Sequence, residues 1–157
     1  MTEFKEFYRE DLIFKSKART KEEVFEEIGQ ILIDKDLVTE EFPSEIIKRE
    51  NNFPTGLDLG IVVEDADNVA IPHTEIEYCK SKNIVFVKLE NEITFNNMIK
   101  PQEELKVKYL FMIINNEATN QTNVLSNLME FLTNKDNIYT LNELVDNQEI
   151  YDFLAGK

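Results

Sequence analysis

An α/β fold is predicted for this chain by three observations. A helix signal opens on a capping box at Thr20-Lys21-Glu22-Glu23, two apolar runs rich in β-branched and aromatic residues follow at 84–89 and 107–114, and a further amphipathic helix comes after them. Strand signals separated by helical ones imply a sheet covered by helices. The 157 residues suffice for one domain with a real core and would cramp two. With neither an internal repeat nor a linker, residues 1–157 are read as a single domain.

The elements are expected in this order. Val24, Phe25, Ile28, Ile31 and Leu32 recur at helical spacing behind Thr20, predicting a helix to about Lys35. A second helix opens near Pro43 or Ser44, turns Ile46 and Ile47 inward and stops before Asn51-Asn52-Phe53-Pro54. Leu59 to Val63 reads as weakly extended, Asp65, Asp67 and Asn68 as a turn, and Val69–Ile71 as a strand ending at Pro72-His73. The clearest strands are Ile84–Leu89 and Val107–Ile114, the second a continuous apolar run suited to a sheet interior. Val124, Leu125, Leu128, Phe131 and Leu132 mark a long helix. Thr140 and Glu143 repeat the capping-box spacing before Leu141 and Leu144, and Glu149–Leu154 closes the chain as a short helix.

Composition narrows the function. Hydrophobic residues make up 42% and charged ones 31%, which suits a folded domain rather than a disordered one. No apolar stretch approaches the roughly 18 residues that span a bilayer, and the start MTEFKEFYRED lacks a signal-peptide core. A cytoplasmic protein without direct membrane insertion is expected. The formal net charge of −14 repels a nucleic-acid backbone. Lys15–Lys21, the most basic stretch, reads as a solvated loop. A lone cysteine, Cys79, excludes an internal disulfide and reads as a half-buried free thiol. The glycine-rich P-loop pattern is absent, so no nucleotide cofactor is implied, and no magnesium requirement is evident.

His73 is the only histidine. An imidazole titrates near neutrality and can serve as nucleophile or base. Pro72 restricts the approach to it, and a strand end is where an α/β fold exposes functional groups. Residue type alone leaves other roles open, including a packed or surface histidine. A metal site with Asp65, Asp67, Glu75 or Glu77 is a weaker reading, because oxygen-rich sites need more converging ligands.

The stretch Arg49-Glu50-Asn51-Asn52-Phe53-Pro54-Thr55-Gly56-Leu57, followed by Val69-Ala70-Ile71-Pro72-His73, resembles the IIA component of bacterial phosphoenolpyruvate-dependent sugar phosphotransferase systems. The similarity is to the fructose/mannitol type, and within it to galactitol-type proteins. It covers nearly the whole chain and implies a mixed central sheet. It assigns phosphoryl acceptance to His73 and phosphate holding to Arg49, with Thr55 and Gly56 beside the site. Mannitol-type relatives carry a second histidine where this chain has Gln121, an amide that donates a hydrogen bond but cannot act as a base. Bland roles remain beside these: a surface arginine in a helix's last turn, a tight turn at Thr55-Gly56, and a polar approach to a helix at Gln121.

The resemblance further implies transfer from phosphorylated HPr to His73, then to a cysteine of a IIB subunit coupled to membrane IIC, for uptake of a sugar or polyol such as galactitol. A regulatory IIA-like module, whose phosphorylation controls a protein partner, is the alternative.

Overall fold

Thr20 caps the first helix as its spacing requires. Its side chain accepts from Glu23 N at 3.1 Å, at the head of α1 (Lys21–Asp34). The return half of the box differs: Glu23 Oε1 accepts from Arg19 N at 2.8 Å, one residue before the cap. In this computed structural model the described residues are 5–156; of Asn120 and Gln121 only the backbone is described. The remaining elements are β1 (Ile13–Ser16), α2 (Phe42–Asn52), β2 (Gly56–Leu57), β3 (Asn68–Ala70), β4 (Asn83–Asn96), β5 (Glu104–Ile114), α3 (Gln121–Leu132), α4 (Lys135–Glu143) and α5 (Asn147–Leu154).

The strands form one sheet in the order β1-β4-β5-β3-β2. β1 is parallel to β4 and β3 to β5, while β4–β5 and β2–β3 are antiparallel, so the sheet is mixed. Side chains alternate across it. Phe86, Tyr109, Phe111 and Ile113 pack on one face with Val124, Leu128, Leu132, Ile138 and Ile150 from α3, α4 and α5. Val85, Val87, Leu110, Met112 and Ile114 pack on the other with Val24, Phe25, Ile28 and Ile46 from α1 and α2. Helices on both faces explain why β5 reads as an unbroken apolar run rather than an alternation. Gly29 lets α1 and α2 approach closely, because a Cβ there would stand 2.7 Å from Pro43 Cγ.

Several expectations are corrected. Leu59–Val63 is not extended: Leu59–Ile61 forms a 3₁₀ turn in which Asp58 Oδ1 accepts from Gly60 N at 2.9 Å. The local side-chain acceptor offers the backbone a partner that a ladder would otherwise supply. Asn68 opens β3, and the turn before it rests on Asp65, whose φ is 64°. α2 runs on through Asn51 and Asn52, two residues past the expected stop. Within the Lys15–Lys21 stretch, Lys15 and Ser16 belong to β1 and only 17–20 is loop. β4 continues past Leu89 to Asn96, with its register to β5 shifting between Lys88 and Ile93.

Thr140 is no N-cap. It lies inside α4, whose cap is Asn134, with Oδ1 accepting from Asp136 N at 2.9 Å and Asn137 N at 3.4 Å. α5 likewise starts earlier than expected, capped by Asp146. These caps set a test: Asn134→Ala is expected to lose about 1 kcal/mol in urea unfolding. Thr140→Ala should stay within about 0.5 kcal/mol of wild type.

Candidate functional site

The site forms where β3 runs out. β3 has paired parallel to β5 as far as Ala70 with Leu110, and the chain beyond stays fastened by single bonds. Ile71 N donates to Thr55 O at 3.2 Å, and Ile113 N donates to Pro72 O at 3.0 Å. His73 follows, bridged in parallel to Ile113. Its Nδ1 stands 2.9 Å from Ile71 O. A carbonyl oxygen only accepts, so Nδ1 carries the proton and Nε2 keeps its lone pair.

His73 lines an open cavity of about 290 Å³ together with Arg49 and Thr55. Apolar walls come from Phe53 after α2, Met98 after β4, and Leu125 with Met129 one turn apart on α3. Arg49 sits in the last turn of α2. Its Nη1 donates to Glu75 Oε2 at 2.7 Å, and its guanidinium carbon lies 4.9 Å from the centre of the Phe53 ring. Arg49 Nε is buried without a hydrogen-bond partner among the described residues. The ion pair is half-exposed, so its value is in orienting the fork rather than in stability.

Four effects act on the ring. Burial lowers the His73 pKa, the bond to Ile71 O opposes this, and Arg49 lowers it while Glu75 raises it. The net direction is down, so the ring is held neutral. A neutral imidazole with Nδ1 protonated and a guanidinium on one cavity wall can offer a nucleophilic nitrogen beside an anion-binding fork.

The sequence-predicted residues divide accordingly. Arg49, Thr55 and His73 share the cavity. Gly56 is not among its lining residues; it pairs with Ala70 across β2–β3, and a Cβ there would stand 2.6 Å from Asn96 O. Gln121 opens α3, but its side chain lies outside the described residues. Of the weaker metal reading, Glu75 is engaged by Arg49, and the described residues contain no group of three or more His, Cys, Asp or Glu placed to hold a metal. Cys79 is buried rather than half-buried, and burial pushes its thiol pKa up, which disfavours a thiolate nucleophile.

Sequence reasoning gave no role to Glu50. The residue is only 3% exposed, and its carboxylate accepts from Thr55 N at 2.7 Å and Thr55 Oγ1 at 2.8 Å. An acidic residue in a helix's last turn looks solvated in sequence, and nothing local signals its burial. The cavity residues Met98, Leu125 and Met129 were missed for a similar reason: apolar spacing reports burial, not which cavity is lined.

Comparison with known proteins sets this geometry in context. The family described as Phosphoenolpyruvate-dependent sugar phosphotransferase system, EIIA 2, matches residues 6–157. The galactitol-specific EIIA component of Escherichia coli K12 is 29% identical over 126 residues, which is 80% of each chain. The solution structure of the mannitol-specific cryptic phosphotransferase enzyme IIA CmtB from Escherichia coli superposes with a TM-score of 0.75 at 17% identity, covering 100% of both chains. The IIA protein in the complex of enzyme IIAMTL and phosphorylated enzyme IIBMTL from Escherichia coli superposes with a TM-score of 0.71 at 22% identity, covering 96% of this chain and 99% of that one.

The lowered His73 pKa makes a prediction with a definite sign. The folded protein holds this proton less tightly than the unfolded chain, whose histidine titrates near 6.5. The associated stability is present above that value and lost as pH falls through the lowered folded pKa. Titration of the ring followed by ¹H–¹⁵N NMR should give a midpoint below the ordinary histidine value. A midpoint above it would contradict the desolvated, neutral ring.

Proposed function

This chain belongs to the EIIA 2 family of the phosphoenolpyruvate-dependent sugar phosphotransferase system, and we propose that His73 is the residue through which it acts. Members of the family are phosphotransferases that work through a phosphohistidine, in relays with HPr, IIB and IIC. The observation that carries the assignment is the bond from Nδ1–H to Ile71 O in a ring that shares a cavity with Arg49. It leaves Nε2 as the nucleophile. The match over residues 6–157 supports treating the chain as one IIA unit.

The proposed chemistry balances without a general base. The Nε2 lone pair of His73 attacks phosphorus as the bond from phosphorus to the HPr histidine nitrogen breaks. Nδ1 keeps its proton throughout, and no proton is abstracted from His73. In the second step a cysteine thiolate of a IIB subunit attacks the same phosphorus, and Nε2 leaves with its electron pair. Both steps require near in-line geometry and charge held on the equatorial oxygens. Arg49 supplies the positive charge that meets those oxygens, Thr55, whose hydroxyl proton goes to Glu50, lines the cavity beside it, and Gln121 contributes an amide that donates without titrating. Gly56 stands beside the site, where the lack of a Cβ permits the close approach to Asn96 O.

Transport is favoured over free-standing regulation by the sequence match to galactitol-specific components, and galactitol or a related polyol is the proposed cargo of the associated IIC. A IIB partner is supported by the structural relative captured with a phosphorylated IIB. Discharge of phospho-His73 by a IIB chain separates the two readings, since a regulatory module would have no such acceptor.

Incubation with phosphoenolpyruvate, Enzyme I and HPr should add one acid-labile, base-stable phosphoryl group, mapped to His73 by mass spectrometry. A fully charged His73→Gln protein would sink the assignment. Arg49→Lys retains the charge but loses the fork. Its transfer rate should fall about tenfold, equivalent to about 1.4 kcal/mol of transition-state stabilisation. Unchanged stopped-flow rates in a folded variant would remove Arg49 from the mechanism.

A further inference from the structure

α2 ends at Asn52, and the chain must enter β2 at Gly56 within three residues. Phe53 N still donates to Arg49 O at 2.7 Å, but Thr55 N lies beyond the helix's reach. Thr55 is buried, and an unpaired buried N–H would be costly. Glu50, one helical turn back, supplies the acceptor with one carboxylate oxygen and takes the Thr55 hydroxyl with the other.

The same Thr55 residue faces the opposite way through its carbonyl. Thr55 O accepts from Ile71 N at 3.2 Å, and Ile71 O accepts from His73 Nδ1 at 2.9 Å. Four residues from two separate segments are thereby joined in one hydrogen-bonded series: Glu50, Thr55, Ile71, His73. Arg49 precedes Glu50 directly, so one carboxylate anchors the wall that carries both the guanidinium and the hydroxyl.

We propose that Glu50 is a positioning residue for phosphoryl transfer. Acting through Thr55 and Ile71, it holds the His73 ring in its Nδ1–H tautomer and sets the Arg49–Thr55 wall against it. The role is geometric rather than electrostatic. Glutamine has the same length, and its carbonyl can accept from Thr55 N while its amide donates to Thr55 Oγ1, which reverses its own hydroxyl proton. Methionine fills a similar volume and accepts almost nothing. The inference rests on His73 as phosphoryl acceptor, but part of its test needs no phosphoryl donor.

The test compares Glu50→Gln and Glu50→Met in the full chain. His73 ring ¹⁵N shifts read the tautomer without HPr, and single-turnover transfer from phosphorylated HPr gives a plateau rate and a half-saturating HPr concentration. Glu50→Gln should rescue function, keeping the wild-type tautomer and a plateau rate within about threefold. Glu50→Met should show a mixed tautomer and a plateau rate at least tenfold lower, with half-saturation changed less than about twofold. A folded Glu50→Met protein with wild-type ring shifts overturns the proposal. So does a Glu50→Gln protein as slow as Glu50→Met, because the charge would then be the active feature. If Glu50→Met does not fold, Glu50→Asp, which keeps the charge but is one methylene too short to reach both Thr55 donors, should still shift the ring toward a mixed tautomer, and unchanged shifts overturn the proposal. A wild-type protein that accepts no phosphoryl group at His73 refutes the functional assignment instead, and leaves the ring measurements to decide the role of Glu50.

Discussion

Everything in this molecule hangs on the antiparallel pairing of β4 with β5. It runs from Asn83 opposite Ile114 to Asn96 opposite Glu104, with one shift in register between Lys88 and Ile93. The strands on either side dock on this pair, β1 in parallel on β4 and β3 in parallel on β5, and β2 is carried by β3. Its alternating side chains are buried on both faces, which forces helices onto both sides and divides the core into two layers. Beyond β5 the strands β2 and β3 are only two and three residues long.

Short strands have a consequence for chemistry. Where a ladder stops, backbone groups lose their regular partners and must find others. Beyond Ala70 the partners are individual: Thr55 O for Ile71 N, Ile113 N for Pro72 O, and the imidazole itself for Ile71 O. His73 is therefore oriented by a main-chain carbonyl rather than by a carboxylate, which fixes the tautomer without placing a full negative charge on the ring. Burial then favours the neutral form. A carboxylate in the same place would raise the ring's pKa and compete with an incoming anion for Arg49.

The charge distribution follows a similar division. The chain carries a formal −14, yet the cavity gathers a guanidinium whose partner, Glu75, occupies only one of its nitrogens. Arg49 is steadied by Glu75 on one side and the Phe53 ring on the other, so an anion can be met without first ordering a long flexible side chain. Among the described residues no helix is long and apolar enough to cross a membrane.

Much of this was legible from residues alone, for physical reasons that differ by element. The capping pair at Thr20 and the apolar periodicity of α1 and α3 are local patterns, and β4 and β5 announce themselves because both faces are apolar. The family pattern likewise singled out Arg49, Thr55 and His73, which the fold brings to one cavity. Thr140 shows the limit of local reading: its spacing to Glu143 is right, but Asn134 starts the helix six residues earlier and leaves Thr140 in its interior. The strand β1 was invisible because four residues of mixed polarity pair only with an edge that the sequence does not reveal. What tertiary structure alone decided is the arrangement around the ring: Glu50 buried by the fold onto Thr55, Thr55 joined to Ile71 across β2 and β3, and Glu75 turned onto Arg49 across 26 residues of chain. Those contacts join distant segments, and no local spacing encodes a partner that only the folded sheet brings within reach.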